Sequence, residues 1–171
     1  RSGDLGFTTG PFTFDGKPGG SYFTVWKKQA DGAWKWIYDG GPPADMSGAA
    51  PQGSTPVYLP VSTAKGKYPE AAFAEVKAAE ATLAEGARTD LAGAYLKVLA
   101  PEARIGGSRA APDDTPAGHA AELATRPGQV AFSPLGGEAS KAGDLAWTYG
   151  DARWTEAGAP ARAHYVRVWQ L

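Results

Sequence analysis

The stretch Ala142-Gly143-Asp144-Leu145-Ala146-Trp147-Thr148-Tyr149-Gly150 decides the fold, because it has a counterpart near the other end of the chain: Ser2-Gly3-Asp4-Leu5-Gly6-Phe7-Thr8-Thr9-Gly10. Beyond a Gly/Pro-containing loop each is followed by a second matching run, Tyr165-Val166-Arg167-Val168-Trp169 in one case and Tyr22-Phe23-Thr24-Val25-Trp26 in the other. Order, chemistry and near-spacing agree twice over, which is the mark of an internal duplication.

The first copy continues through Lys27 to Asp39, where Asp31-Gly32 between aromatic-rich runs reads as a β-hairpin turn. The second copy reaches Gln170-Leu171 before such a hairpin closes, and about 70 residues of helical pattern precede it that the first copy lacks. The expected organisation is therefore a piece of a longer two-domain protein. Residues 1–41 form the strand half of a first domain, 42–67 a Gly/Pro/Ser-rich linker, and 68–171 a second domain without its last strand. Val57-Tyr58-Leu59 is expected to dock as a short extended piece within the linker.

Working outward from the second copy, Tyr68-Pro69-Glu70 opens a helix with Pro at its first position and an acid in its first turn. Phe73, Val76, Ala79 and Leu83 form its apolar stripe, and Gly86 ends it. Asp90 caps a second helix that buries Leu91, Ala94, Tyr95, Val98 and Leu99 and halts at Pro101. Ala103-Arg104-Ile105 is expected as a short strand. Thr115-Pro116 starts a third helix with Ala120 and Leu123 inward, and strands follow at about 129–135, 143–154 and 162–170. Helices followed by antiparallel strands predict an α+β domain.

Composition bounds the function. At 171 residues with 43% hydrophobic and 20% charged side chains the chain is globular. A net charge of −1 without basic runs argues against nucleic acid or an anionic membrane as partner. No segment approaches the roughly 18 apolar residues of a membrane span. Without Cys there is no disulfide framework, thiolate metal site or Cys nucleophile, and compartment is not readable. His119 and His164 are the only histidines; His119 reads as a surface or half-buried residue and His164 as lining the outer face of the sheet. Neither supports a metal site, no phosphate loop or nucleophile elbow is present, and no cofactor is expected. Asp4 and Asp144, at matching strand starts next to Gly, read as turn-forming residues.

The Gly-Asp-Leu strand, the Val-Trp strand and the Asp-Gly-x-Trp hairpin together resemble the SnoaL-like, ketosteroid-isomerase-like group of the nuclear transport factor 2-like superfamily. The resemblance covers residues 68–171 as a nearly whole domain and 1–41 as the strand half of another. It implies a cone-shaped, curved antiparallel sheet wrapped around three helices, with an apolar pocket between them. It also implies that Trp147, Tyr149, Tyr165, Arg167 and Trp169 face that pocket, with Asp151 on the same face as a partner for Arg167. The acid–base set of the isomerases is not reproduced. The base position after Ala103-Arg104-Ile105 holds Gly106-Gly107, the first helix has no Tyr, and Arg167 stands near the second acid's place. No catalytic residue is assigned.

Three functions are compatible with this pattern. One is a module binding a small, largely apolar or carboxylated molecule through Trp147, Tyr149, Asp151, Tyr165, Arg167 and Trp169. A second is an isomerase, hydratase or cyclase acting on a polycyclic or carboxylated substrate. The third is structural, an intrachain pseudo-dimer or a homodimer formed through the sheets with side chains filling the pocket.

Overall fold

A computed structural model of the chain describes residues 2–59 and 66–171. Its elements are β1 (Leu5–Phe14), β2 (Lys17–Lys28), β3 (Trp34–Gly40), α1 (Pro69–Ala87), α2 (Leu91–Leu96), α3 (Pro116–Ala124), β4 (Ala131–Ala139), β5 (Leu145–Glu156) and β6 (Ala159–Gln170). The architecture is α+β, with two three-stranded antiparallel sheets and three helices, and neither sheet closes into a barrel. Both sheets are simple meanders, in the orders β1-β2-β3 and β4-β5-β6.

Turn chemistry sets the strand registers. Asp15-Gly16 joins β1 to β2 with both residues at positive φ, 49° and 74°, so the two-residue loop follows the twist of its strands. Ala157-Gly158 repeats this between β5 and β6, at 48° and 82°. Asp31-Gly32 lies between β2 and β3, as its sequence predicts: Gly32 N–H donates to Gln29 O, and Asp31 Oδ1 accepts from Ala33 N–H. The register of β2 and β3 shifts between Val25 and Trp26, so that Ile37 and Tyr38 both join the core on one face.

The helices start where their signals predict. Pro69 opens α1, Asp90 accepts from Gly93 N–H at the start of α2, and Thr115 accepts from Gly118 N–H at the start of α3. Inward faces differ from expectation. The buried stripe of α1 is Ala72, Val76, Glu80, Leu83 and Ala87, with Phe73 and Ala79 only half-buried. In α3 the buried residues are His119 and Leu123, while Ala120 is exposed. Helix α2 stops at Leu96, short of Pro101.

Ala103–Ile105 forms no strand. The Ala103 carbonyl instead accepts from His119 Nε2–H at 2.6 Å, which buries the histidine that composition placed nearer the surface. Asp45 makes a two-bond bridge to the 108–110 backbone, tying the segment after β3 to the loop before α3. Val57 and Tyr58 are 78% and 84% exposed rather than docked, and residues 60–65 of the expected linker lie outside the described residues.

Two cores result. One lies between the helices and the second sheet and contains Leu83, Ala87, Leu91, Ala94, Val130, Phe132, Ala152 and Tyr165. The other lies between the sheets: Leu5 and Val25 meet Trp147, with Phe23, Ile37, Tyr38, Tyr149, Val166 and Val168 packed around them. Polar bonds fasten this second contact at one end. Asp144 Oδ1 accepts from the Ser2 and Ser140 hydroxyls, and Asp4 Oδ1 accepts from Lys141 N–H at 2.8 Å. The two aspartates therefore reach across to each other's turn, instead of each closing only its own as the sequence suggested. Lys27 pairs with Glu138 along the same seam.

Candidate functional site: a buried arginine beside an aromatic cleft

Register determines which side chains meet. In the β5–β6 hairpin Ala146 faces Trp169, Thr148 faces Arg167, and Gly150 faces Tyr165, and each pair shares one side of the sheet. This side looks toward the helices. The other pairs, Trp147 with Val168, Tyr149 with Val166 and Asp151 with His164, look away from them.

The six residues singled out by sequence are therefore divided. Tyr165, Arg167 and Trp169 stand on the helix side. Trp147 and Tyr149, stacked with centroids 5.2 Å apart, pack against the first sheet, and Trp147 also meets Tyr38 at 6.0 Å. Asp151 is not the partner of Arg167. It lies on the opposite side of the sheet, 2.9 Å from His164 Nδ1 and 3.4 Å from Arg153.

The partner of Arg167 comes from α1. Arg167 Nη1 donates to Glu80 Oε2 at 2.7 Å, while Nε and Nη2 both donate to the Tyr95 hydroxyl of α2, at 3.2 and 2.9 Å. Glu80 Oε1 accepts from the Thr148 hydroxyl, which in turn accepts from Trp169 Nε1–H at 2.9 Å. Rings enclose the guanidinium: its carbon lies 3.9 Å from the Tyr165 centroid, 4.3 Å from Phe132 and 5.2 Å from Tyr95. The small row of β5 makes this possible. A Cβ on Gly150 would come within 2.7 Å of the Tyr165 ring.

The electrostatics follow from burial and partners. Burial opposes the charge on Arg167, but Tyr95 and the Glu80 carboxylate outweigh it and hold its pKa above the usual arginine value. Burial, reinforced by the Glu80 carboxylate, pushes the Tyr165 phenol up to about 12. Arg167 is thus a fixed cation whose charge Glu80 cancels locally.

Beside this network opens a space of about 2660 Å³ that continues along the first sheet and the 46–59 and 99–112 segments, with Phe12, Tyr22, Trp26, Trp34 and Asp39 also in its wall. That is several times the roughly 300–1,000 Å³ of a closed small-molecule pocket, so it is an open trough. Tyr95, Phe132, Trp154, Tyr165, Arg167 and Trp169 belong to its wall; Glu80 and Thr148 lie behind them. Three of the five guanidinium N–H groups have recorded acceptors. The other two have none among the described residues, nor does the Tyr95 hydroxyl proton.

Among the described residues no cluster of three His, Asp or Glu side chains is placed to hold a metal ion. Nor is any helix among the described residues long and apolar enough to cross a membrane. Glu80 is the site residue that sequence reading missed. Its signal was available: it occupies the 72, 76, 80, 83, 87 stripe of α1, and Arg167 among aromatics required an opposite charge. Comparisons with protein-family models, with curated proteins and with solved structures returned no match.

Proposed function

We propose that this chain binds a small, largely apolar molecule in the cleft between α1–α2 and the helix-facing side of the second sheet. We also propose that its α+β fold is related to the cone-like arrangement of the nuclear transport factor 2-like, SnoaL-like group. The order of three helices followed by an antiparallel meander supports that assignment. The observation carrying the functional reading is the end of the cleft at Arg167 and Tyr95, where an aromatic wall surrounds N–H and O–H donors without protein acceptors.

Because Glu80 neutralises Arg167, the donors suit a neutral acceptor such as a ketone or ester carbonyl better than a second carboxylate, which would lie near Glu80. Glu80 is also a poor general base, since Arg167 and Thr148 occupy its oxygens and it lies behind the cleft wall. This favours binding over isomerase-type catalysis.

A thermal-shift screen of steroid-like, terpenoid and aromatic ketones tests the reading. A ligand at 100 times its Kd stabilises the fold by about 2.7 kcal/mol. Tyr95→Phe, which removes the hydroxyl donor and frees the two Arg167 N–H groups that it accepts from, is expected to change the Kd of a ketone hit about ten-fold. A flat screen, or a hit indifferent to Tyr95→Phe, overturns it.

A structural reading, in which the two copies form an intrachain pseudo-dimer, draws support from the core joining Leu5 and Val25 to Trp147. It accounts for Trp147 and Tyr149 and leaves the cleft unexplained.

A further inference from the structure

The two sheets repeat one another in side-chain detail. Trp26 Nε1 donates to the Thr8 hydroxyl at 2.9 Å, as Trp169 Nε1 does to Thr148 at the same distance. Tyr22 lies over Gly10, whose Cβ would stand 3.2 Å from its ring, as Tyr165 lies over Gly150. These features mark corresponding sides of the two sheets. On the second sheet that side carries α1 and α2.

On the first sheet, cross-strand pairing places Phe12, Tyr22, Trp26, Trp34 and Trp36 on that side. Among the described residues nothing covers it to the same degree: Trp36 is 65% exposed, and Phe12 and Trp34 are each 37% exposed. Its charge is reversed. Where the second sheet has Arg167, the first has Thr24, whose hydroxyl donates to the Asp39 carboxylate at 2.5 Å. The anion that α1 supplies as Glu80 is already on the strands here. The lysines on this side lie far from Thr24: Lys28, which pairs with Trp34, is four residues along β2 and roughly 13 Å away, and Lys17, which pairs with Phe14, is farther.

We propose that this side of the first sheet docks an amphipathic helix from outside residues 1–171. That helix has the apolar spacing of α1 and carries Lys or Arg where α1 carries Glu80. The aromatic row receives its apolar stripe, and Asp39 receives its cation. Phe12, Tyr22, Trp26, Trp34 and Asp39 line another part of the same open space as Arg167. The two proposals rest on different residues and are tested by different variants, Trp36→Asp here and Tyr95→Phe there, so the failure of one is distinguishable from the failure of the other.

The probe is a synthetic peptide with the sequence of residues 69–87 bearing Glu80→Lys, added to the 171-residue chain. At 19 Ala-rich residues it is long enough to populate a helix. It contains no Trp, so all tryptophan emission comes from the protein, and the Trp36→Asp variant tells a change on the docking side from one at Trp147, Trp154 or Trp169. The expected result is saturable binding with a blue shift, about ten-fold tighter than for the unaltered peptide. Trp36→Asp on the protein is expected to weaken it at least ten-fold without lowering Tm. No binding by either peptide, or equal binding by both, overturns the proposal. So does binding that survives both Trp36→Asp and Phe12→Asp, since the peptide would then be replacing the chain's own α1. Self-association of the chain that Trp36→Asp abolishes would assign the surface to a second copy, and also overturns it.

Discussion

Arg167 and Glu80 form an ion pair at 2.7 Å with side chains only 9% and 3% exposed, joining the last strand to the first helix through the interior. Taking two charges out of water costs several kcal/mol per ion, and their attraction offsets this only with good geometry and further hydrogen bonds. Tyr95, Thr148 and the surrounding rings supply those.

The pair is therefore expected to be costly to break and cheap to replace. Glu80→Leu and Arg167→Met should each lower stability by roughly 3–5 kcal/mol, because each strands a buried charge. The double variant should recover at least half of that loss. Urea denaturation of the four proteins measures the coupling. Additive losses would show that the two side chains do not act as a pair.

Tyr165 gives a pH signature. Its phenol titrates near 10 unfolded and near 12 folded, so between these values the folded chain keeps a proton that the unfolded chain has lost. Its stability contribution is complete below pH 10 and disappears as pH rises toward 12. Tm should fall over that interval, and fall less in Tyr165→Phe. Tyrosinate absorbance should show a late-titrating phenol that the variant lacks, besides that of Tyr38, which burial and the Asp39 carboxylate also raise.

The seam between the sheets separates buried from exposed polar contacts. Asp144→Ala removes a buried acceptor from two hydroxyls and should cost about 1–3 kcal/mol. Lys27→Ala breaks a pair whose side chains are 37% and 33% exposed, and should cost less than about 1 kcal/mol, fading with added salt. Equal losses for the two would remove the distinction.

The indoles of Trp147 and Trp169 allow a sharper comparison. Trp147 is the more buried, but its Nε1–H has no partner among the described residues. Trp169 is partly buried and bonded to Thr148. If area alone mattered, Trp147→Phe would cost more. With the hydrogen bond counted, Trp169→Phe should be the worse by about 1 kcal/mol, measured as the difference in unfolding free energy.

The strands of the two meanders and the helix starts were legible because each rests on local chemistry: alternation, Asp-Gly turns, Pro69 and Asp90; the short run Ala103–Ile105, expected as a strand, forms none. The face assignment on β5 was not legible. It depends on parity, which a two-residue turn at Ala157-Gly158 fixes by setting Glu156 opposite Ala159, and hence Thr148 opposite Arg167. Alanine at φ 48° is a weak signal for such a turn beside the Asp15-Gly16 of the first copy. Glu80 was hidden for a different reason. A buried acid is legible only together with its cation, and that lies 87 residues away.

The seam also has a kinetic meaning. Ser2 and Asp144 are 142 residues apart in sequence, and Asp4 and Lys141 are 137 apart, whereas each meander and the α1–α2 contact can form from neighbours. Contacts across such long loops are rewarded only after the chain entropy of closing them has been lost. The two sheets are therefore expected to meet late, after each has formed. Weakening the seam will then speed unfolding much more than it slows folding. What Asp4 and Asp144 set is how long the halves stay together once they have met.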